Sequence, residues 1–173
     1  SGFLKNIGFR VFTNIAKTGV VGILEGSSPG KTIAIRADMD ALPITEENDI
    51  VFASRNKNIM HACGHDAHTA IALGTAKILS GMRDKISGNV KFIFQPAEES
   101  LGGARLMIDE GALDNPATDA IIALHVSPSL TSGKISVGSG PVMASPAEFD
   151  IVIKGKGGHA AQPDKTIDPI SIG

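Results

Sequence analysis

The chain reads as an α/β protein: a sheet, at least partly parallel, carries helices on both faces and is followed by the start of a smaller α+β unit. Apolar runs of strand length, bounded by Gly, Pro or Asp, recur at 19–24, 32–37, 90–95 and 120–126. Stretches with helical spacing lie between them, and ligand-type side chains follow three of the runs. Runs this apolar are expected to be strands buried on both faces. The spacing of Ala70, Leu73, Ala76, Ile78 and Leu79 predicts a helix from Ala67 to about Met82, and a shorter one is expected from Gly103 to about Glu110. A short strand is expected at 133–138, a turn at Gly138-Ser139-Gly140-Pro141, and an exposed strand at 147–154 where charged and apolar residues alternate. Residues 1–145 are thus assigned to one domain and 146–173 to the beginning of a second.

Composition narrows the function. The 173 residues are 42% hydrophobic and 20% charged, the mix of an ordinary globular protein. Sixteen Lys and Arg against 18 Asp and Glu leave a formal charge of −2, and seven Phe with no Trp or Tyr offer few stacking platforms, so nucleic acid is not an expected partner. No apolar run approaches the roughly 18 residues of a membrane span, and the first residues lack the pattern of a signal peptide, so a soluble, cytoplasmic protein is expected. The single cysteine, Cys63, excludes an intramolecular disulfide and suits a reducing compartment. The chain starts without Met and stops at Asp168-Pro169-Ile170-Ser171-Ile172-Gly173, the first turn of a helix, so it reads as a fragment of a longer protein.

In open α/β sheets, sites gather beyond the carboxyl ends of the strands. There this sequence places Asp38-Met39-Asp40, Glu98-Glu99 and His125. Ahead of the long helix stands His61-Ala62-Cys63-Gly64-His65-Asp66-Ala67-His68, three His, one Cys and one Asp within eight residues. Cys63 and His65 flank a glycine in a turn that can aim thiolate and imidazole at one ion, a pairing suited to zinc or a similar borderline metal. Asp66 is expected to cap the helix or to accept the second N–H of a ligating histidine. The helix N-terminus is expected to lower the Cys63 pKa.

One Cys is too few for a closed structural zinc site, so a catalytic metal with an open position is expected. One carboxylate of Glu98-Glu99 would then bind metal while the other moves a proton. Arg36 is expected to pair with one of the two acids that follow its strand, and His125 is a ligand candidate once the other groups exist. Gly155-Lys156-Gly157-Gly158-His159 lacks the order of a phosphate loop; its glycine turn would instead present His159 to an oxyanion.

Taken together, Arg-Ala-Asp-Met-Asp-Ala-Leu-Pro, His-Ala-Cys-Gly-His-Asp-x-His, Gln-Pro-Ala-Glu-Glu, Ala-Leu-His-Val and Gly-Lys-Gly-Gly-His-Ala-Ala-x-Pro, in this order from about Gly19 onward, closely resemble the metal-dependent amidohydrolases that include hippurate hydrolase, N-acyl-amino-acid amidohydrolases and indoleacetyl-amino-acid hydrolases. The resemblance implies a zinc-exopeptidase-like catalytic domain with two divalent ions, interrupted by a lid that also makes a homodimer. Zinc or manganese would be the metal, with cobalt or nickel as alternatives. By motif, Cys63, His65, Glu99 and His125 would be ligands and Glu98 the general base. Asp40 would orient the ligand shell, with Asp38, Asp66 and His68 behind it, and His159 would reach the substrate carbonyl across a dimer interface. Asp38 stands where the wider peptidase family has a metal-binding histidine, which points to the Cys-containing branch rather than the carboxypeptidase branch.

The implied reaction is hydrolysis of the amide bond of an N-acyl amino acid. A dipeptidase or aminopeptidase of the same superfamily, or a non-catalytic metal-binding relative, are the alternatives. The family's last metal-binding histidine, its N-terminal helix and most of its lid have no counterpart in the matched residues.

Overall fold

Alternation along one strand explains the two-faced core. In Ser87–Gln95, Phe92 and Phe94 turn to one side and Lys91 and Ile93 to the other, and all four are buried. The computed structural model describes residues 1–99, 102–143 and 149–173, in two units, Ser1–Ser129 and Leu130–Gly173.

In the first unit, helix α1 (Gly2–Asn6) leads into strands β1 (Arg10–Ile15), β2 (Gly19–Glu25) and β3 (Ser28–Asp38). Helix α2 (His65–Ser80), strand β4 (Ser87–Gln95), helix α3 (Gly103–Asp109) and strand β5 (Ala120–Ala123) follow. The sheet order is β1-β2-β4-β3-β5. Strand β2 is antiparallel to β1 and β4, whereas β3 is parallel to β4 and β5, with Asp38 level with Gln95 and Arg36 with Ala123. The sheet is therefore mixed, and its parallel half is the half that carries the acids and His125.

Helices cover both faces. Leu4 of α1 and Ala72 and Ala76 of α2 pack on Leu24, Ala37, Phe92 and Phe94. Met107 of α3 and Ala112 pack on Val21, Ile23, Ala34 and Ile93. The α2 stripe differs from the expected one: it runs through His65, His68, Ala72 and Ala76, while Ile78 is 65% exposed. The helix starts two residues earlier than expected, and its site residues share the buried face.

Three expectations are corrected. A short helix, α1, does precede the sheet, because Leu4 finds a buried place on it. The run 120–126 is a strand only over Ala120–Ala123, and all four residues are exposed, because β5 is an edge strand. In the second unit, residues 133–138 and 149–154 form no strand: a strand needs a partner backbone, and among the described residues only the Lys156–Ile167 bridge supplies one. The expected domain boundary after residue 145 and the start of the 147–154 strand fall on 144–148, outside the described residues. The helix turn expected at the end is present as α4 (Pro169–Ile172), with the Asp168 carboxylate accepting from the Ile170 N–H at 3.0 Å. Among the described residues, no helix is long and apolar enough to cross a membrane.

Candidate metal centre

Because β4, β3 and β5 run parallel and side by side, their carboxyl ends open at one edge of the sheet. Asp38 closes β3 and Asp40 follows it; Glu98 and Glu99 follow β4, and His125 follows β5. The turn before α2 brings Cys63, His65 and His68 to the same place.

His65 is 1% exposed. Its Nδ1 lies 3.1 Å from the Asp40 carbonyl and 3.2 Å from Asp40 Oδ1, so that nitrogen carries the proton and the Nε2 lone pair points away. Nε2 is buried without a hydrogen-bond partner, 3.7 Å from Glu99 Oε1 and 3.7 Å from Asp38 Oδ2. An orphaned, fully buried lone pair facing carboxylates is a donor that a cation could take up.

Two ligand triads meet at that ring. Cys63, His65 and His125 form one, and His65, Glu98 and Glu99 the other, each with ligating atoms within 4.8 Å of one another. Cys63 Sγ lies 3.4 Å from His125 Nε2. His125 Nδ1 donates to the Val126 carbonyl at 2.6 Å, which turns its Nε2 lone pair toward the thiol. The donor set of soft sulfur, imidazole and carboxylate fits divalent transition metals, and the two triads have only His65 in common.

Electrostatics agree with the geometry. Burial first, then the hydrogen bond to Glu99 and the charges of Glu99, Glu98 and Asp38, push the Cys63 thiol up to about 11. The expected lowering by the helix N-terminus is thus not found, because burial first, and then the acids around the sulfur, raise the pKa instead. For Asp40, burial raises the pKa, but backbone N–H groups including that of Glu99 (3.1 Å) and the His65 imidazole hold it below the usual carboxylate value.

Asp38 and His68 lie behind this layer. The Asp38 carboxylate is buried, accepting from His68 Nδ1 at 2.6 Å and from Arg36 Nη1 at 2.7 Å, which is the pairing expected for Arg36. Arg36 Nε is held in turn by Gln95 Oε1 at 2.8 Å. His68 Nε2 accepts the Val126 N–H at 2.9 Å, so both of its nitrogens are occupied. Asp66 differs from its expected role: it is exposed, and the helix N-cap is Gly64 without a side-chain cap.

Gly64, the turn glycine between Cys63 and His65, is also required by packing. Its φ is +79°, and a Cβ there would stand 2.5 Å from Val126 Cγ2. Only glycine lets the Cys63 turn close against the segment that carries His125. Val126, which acts through its backbone, leaves no side-chain signal in the sequence at all.

His159 belongs to the second unit and is described within it. It is exposed, and its Nδ1 accepts from the Ala161 N–H at 3.1 Å, which places the ring proton on Nε2 as an outward donor.

Residues 34–169 match the family model described as Peptidase family M20/M25/M40. The chain is 52% identical over 171 residues to an N-acyl-L-amino acid amidohydrolase of Geobacillus stearothermophilus, covering 98% of this chain and 46% of that protein. It is 48% identical over 172 residues to thermostable carboxypeptidase 2 of Saccharolobus solfataricus, covering 98% and 43%. Among solved structures it is similar to the Bacillus subtilis YXEP protein, a dinuclear metal binding peptidase from the M20 family, with a TM-score of 0.76 and 44% identity over 81% of this chain and 39% of that one. The chain thus spans less than half the length of these relatives.

Proposed function

Since the chain belongs to peptidase family M20/M25/M40, we propose that its full-length protein is a metal-dependent amidohydrolase that cleaves the amide bond of N-acyl amino acids. The observation that carries this reading is the pair of triads sharing the orphaned His65 Nε2, with the exposed Glu98 at their edge. Cys63, His65, Glu99 and His125 would hold two divalent ions, zinc or manganese, with cobalt or nickel as alternatives. Such ions supply a Lewis acid for the carbonyl and lower the pKa of water toward about 7.

The chain's own residues do the rest. Glu98, free of hydrogen bonds to its side chain among the described residues, takes the proton of the attacking water and returns it to the leaving amine. Asp40 orients His65 through its carbonyl and carboxylate. His159, with Nε2–H as a donor, would stabilise the oxyanion. Residues 1–145 would form the catalytic domain and 146–173 the start of a lid through which the protein dimerises, a reading supported by the motif resemblance. Cys63, as a free thiol ligand, supports a cytoplasmic location.

The carboxypeptidase relative favours a second reading. Release of a C-terminal residue from a peptide and removal of an acyl group from an amino acid break the same kind of bond, next to a free α-carboxylate. Assays of the full-length protein on acyl-amino acids and on dipeptides with free amino termini separate the two. In either case Glu98→Gln is expected to retain the metal and lower kcat by about 10²–10⁴-fold. Near wild-type turnover in that variant would remove Glu98 from the mechanism.

A further inference from the structure

Building on the metal-centre reading, we propose that His68 is a positioning residue: it sets where His125 stands and which of its nitrogens faces Cys63. The strand ladder ends at Ala123, so His125 lies beyond the hydrogen bonds that register β5. What holds the segment is Val126. Its N–H donates to His68 Nε2 at 2.9 Å, and its carbonyl accepts His125 Nδ1–H at 2.6 Å. The His68 ring also packs edge-on against that of His125, with centroids 4.6 Å apart at 72°.

His68 can do this because it is itself immobilised. It is 2% exposed, and its Nδ1–H is fixed by Asp38, which Arg36 and, through Arg36, Gln95 tie to the ends of β3 and β4. That proton on Nδ1 leaves Nε2 as an acceptor, the only form that can take the Val126 N–H. A line of hydrogen bonds thus runs from the rigid centre of the sheet to an exposed histidine at its edge. Although Asp38, His65 and His68 cluster closely enough to suggest a third ligand set, His68 has no lone pair left for an ion. Its contribution is to the geometry of the Cys63–His125 pair, as outer residues of metal sites act on ligands.

The test is a Co²⁺ titration of the full-length protein, followed by its d–d and thiolate-to-cobalt absorption bands. Gln at position 68 keeps an acceptor near the place of Nε2, whereas Asn keeps a polar group near Nδ1 but cannot reach Val126. H68Q keeps the acceptor for Val126 but not the donor to Asp38, so it is expected to bind Co²⁺ more weakly than wild type and clearly more tightly than H68N. H68N should weaken the ion held with Cys63 by about 10–100-fold, and H68N combined with His125→Ala should be no weaker than His125→Ala alone. Should H68N fail to fold, Val126→Pro removes the same hydrogen bond from its donor side and should show the same loss. Equal losses in H68Q and H68N, losses that multiply with His125→Ala, or wild-type affinity in Val126→Pro would overturn the proposal. Absence of any Co²⁺ binding by the unaltered protein would instead overturn the metal-centre reading on which it rests.

Discussion

Cys63 sits among Glu98, Glu99 and Asp38, and with its thiol pushed up to about 11 it is protonated at neutral pH in the metal-free protein. Binding an ion must displace that proton, so apparent affinity rises with pH by about tenfold per unit until the pH nears 11. Titration calorimetry at pH 7–9 in buffers of different ionisation enthalpy should show one proton released for the ion held by Cys63, and Cys63→Ser should abolish both that release and the pH slope. The spacing Cys63-Gly64-His65 made both ligands legible in the sequence. The burial and the charges that raise the thiol's pKa depend on residues at the ends of β3 and β4, and no local pattern announces them. Gly64 makes a second prediction. An added methyl meets Val126 Cγ2 at 2.5 Å and forces a non-glycine φ of +79°, so Gly64→Ala should destabilise the fold by about 1–3 kcal/mol. It should also weaken the thiolate-to-cobalt band by parting Cys63 from His125, as thermal melting and absorption spectroscopy would show.

Strand β5 depends on a buried charge as much as on its ladder. Lys91, on β4, is fully buried and donates to the carbonyls of Ala112, Asp114 and Pro116 at 3.1, 2.8 and 2.8 Å, the segment that leads into β5. Burial pulls its pKa below the ordinary lysine value, partly offset by Asp114. Lys91→Met would strand three carbonyls, and about 3–5 kcal/mol of stability should be lost in urea denaturation; an unchanged midpoint would show that the segment is held otherwise. In the sequence, Lys91 is the one charge inside the run 90–95, which reads as a strand buried on both faces. Its burial follows from α3 and the 112–116 segment folding over that face, which only tertiary structure shows. The apolar cores of β2, β3 and β4 were legible for the opposite reason: strands covered on both faces are mostly apolar. β1, half exposed, has no such signature, and β5 has the signature without the cover.

In the first unit, the parallel half of the sheet gathers Asp38, Asp40, Glu98 and Glu99 at one end, while among the described residues only Arg36 supplies a permanent positive charge by direct ion pairing there. The order of these residues was readable from the strand-end rule; their convergence depends on β4, β3 and β5 being neighbours, which the sheet order provides. Such a cluster repels itself when no cation is present, and an ion that binds the folded state alone stabilises it by mass action. At a free metal concentration 100 times its Kd, the gain is about 2.7 kcal/mol. At about 2–4 °C per kcal/mol for domains of this size, chelation should lower Tm by about 5–10 °C. Restoring a divalent transition metal should recover it, whereas magnesium, which prefers all-oxygen octahedra, should not. In Cys63→Ser the recovery should need a higher metal concentration. A Tm indifferent to chelator in calorimetry of a demonstrably metal-loaded sample would mean that the carboxylates are neutralised by protons rather than by ions, and the two triads would lose their role in holding the fold together.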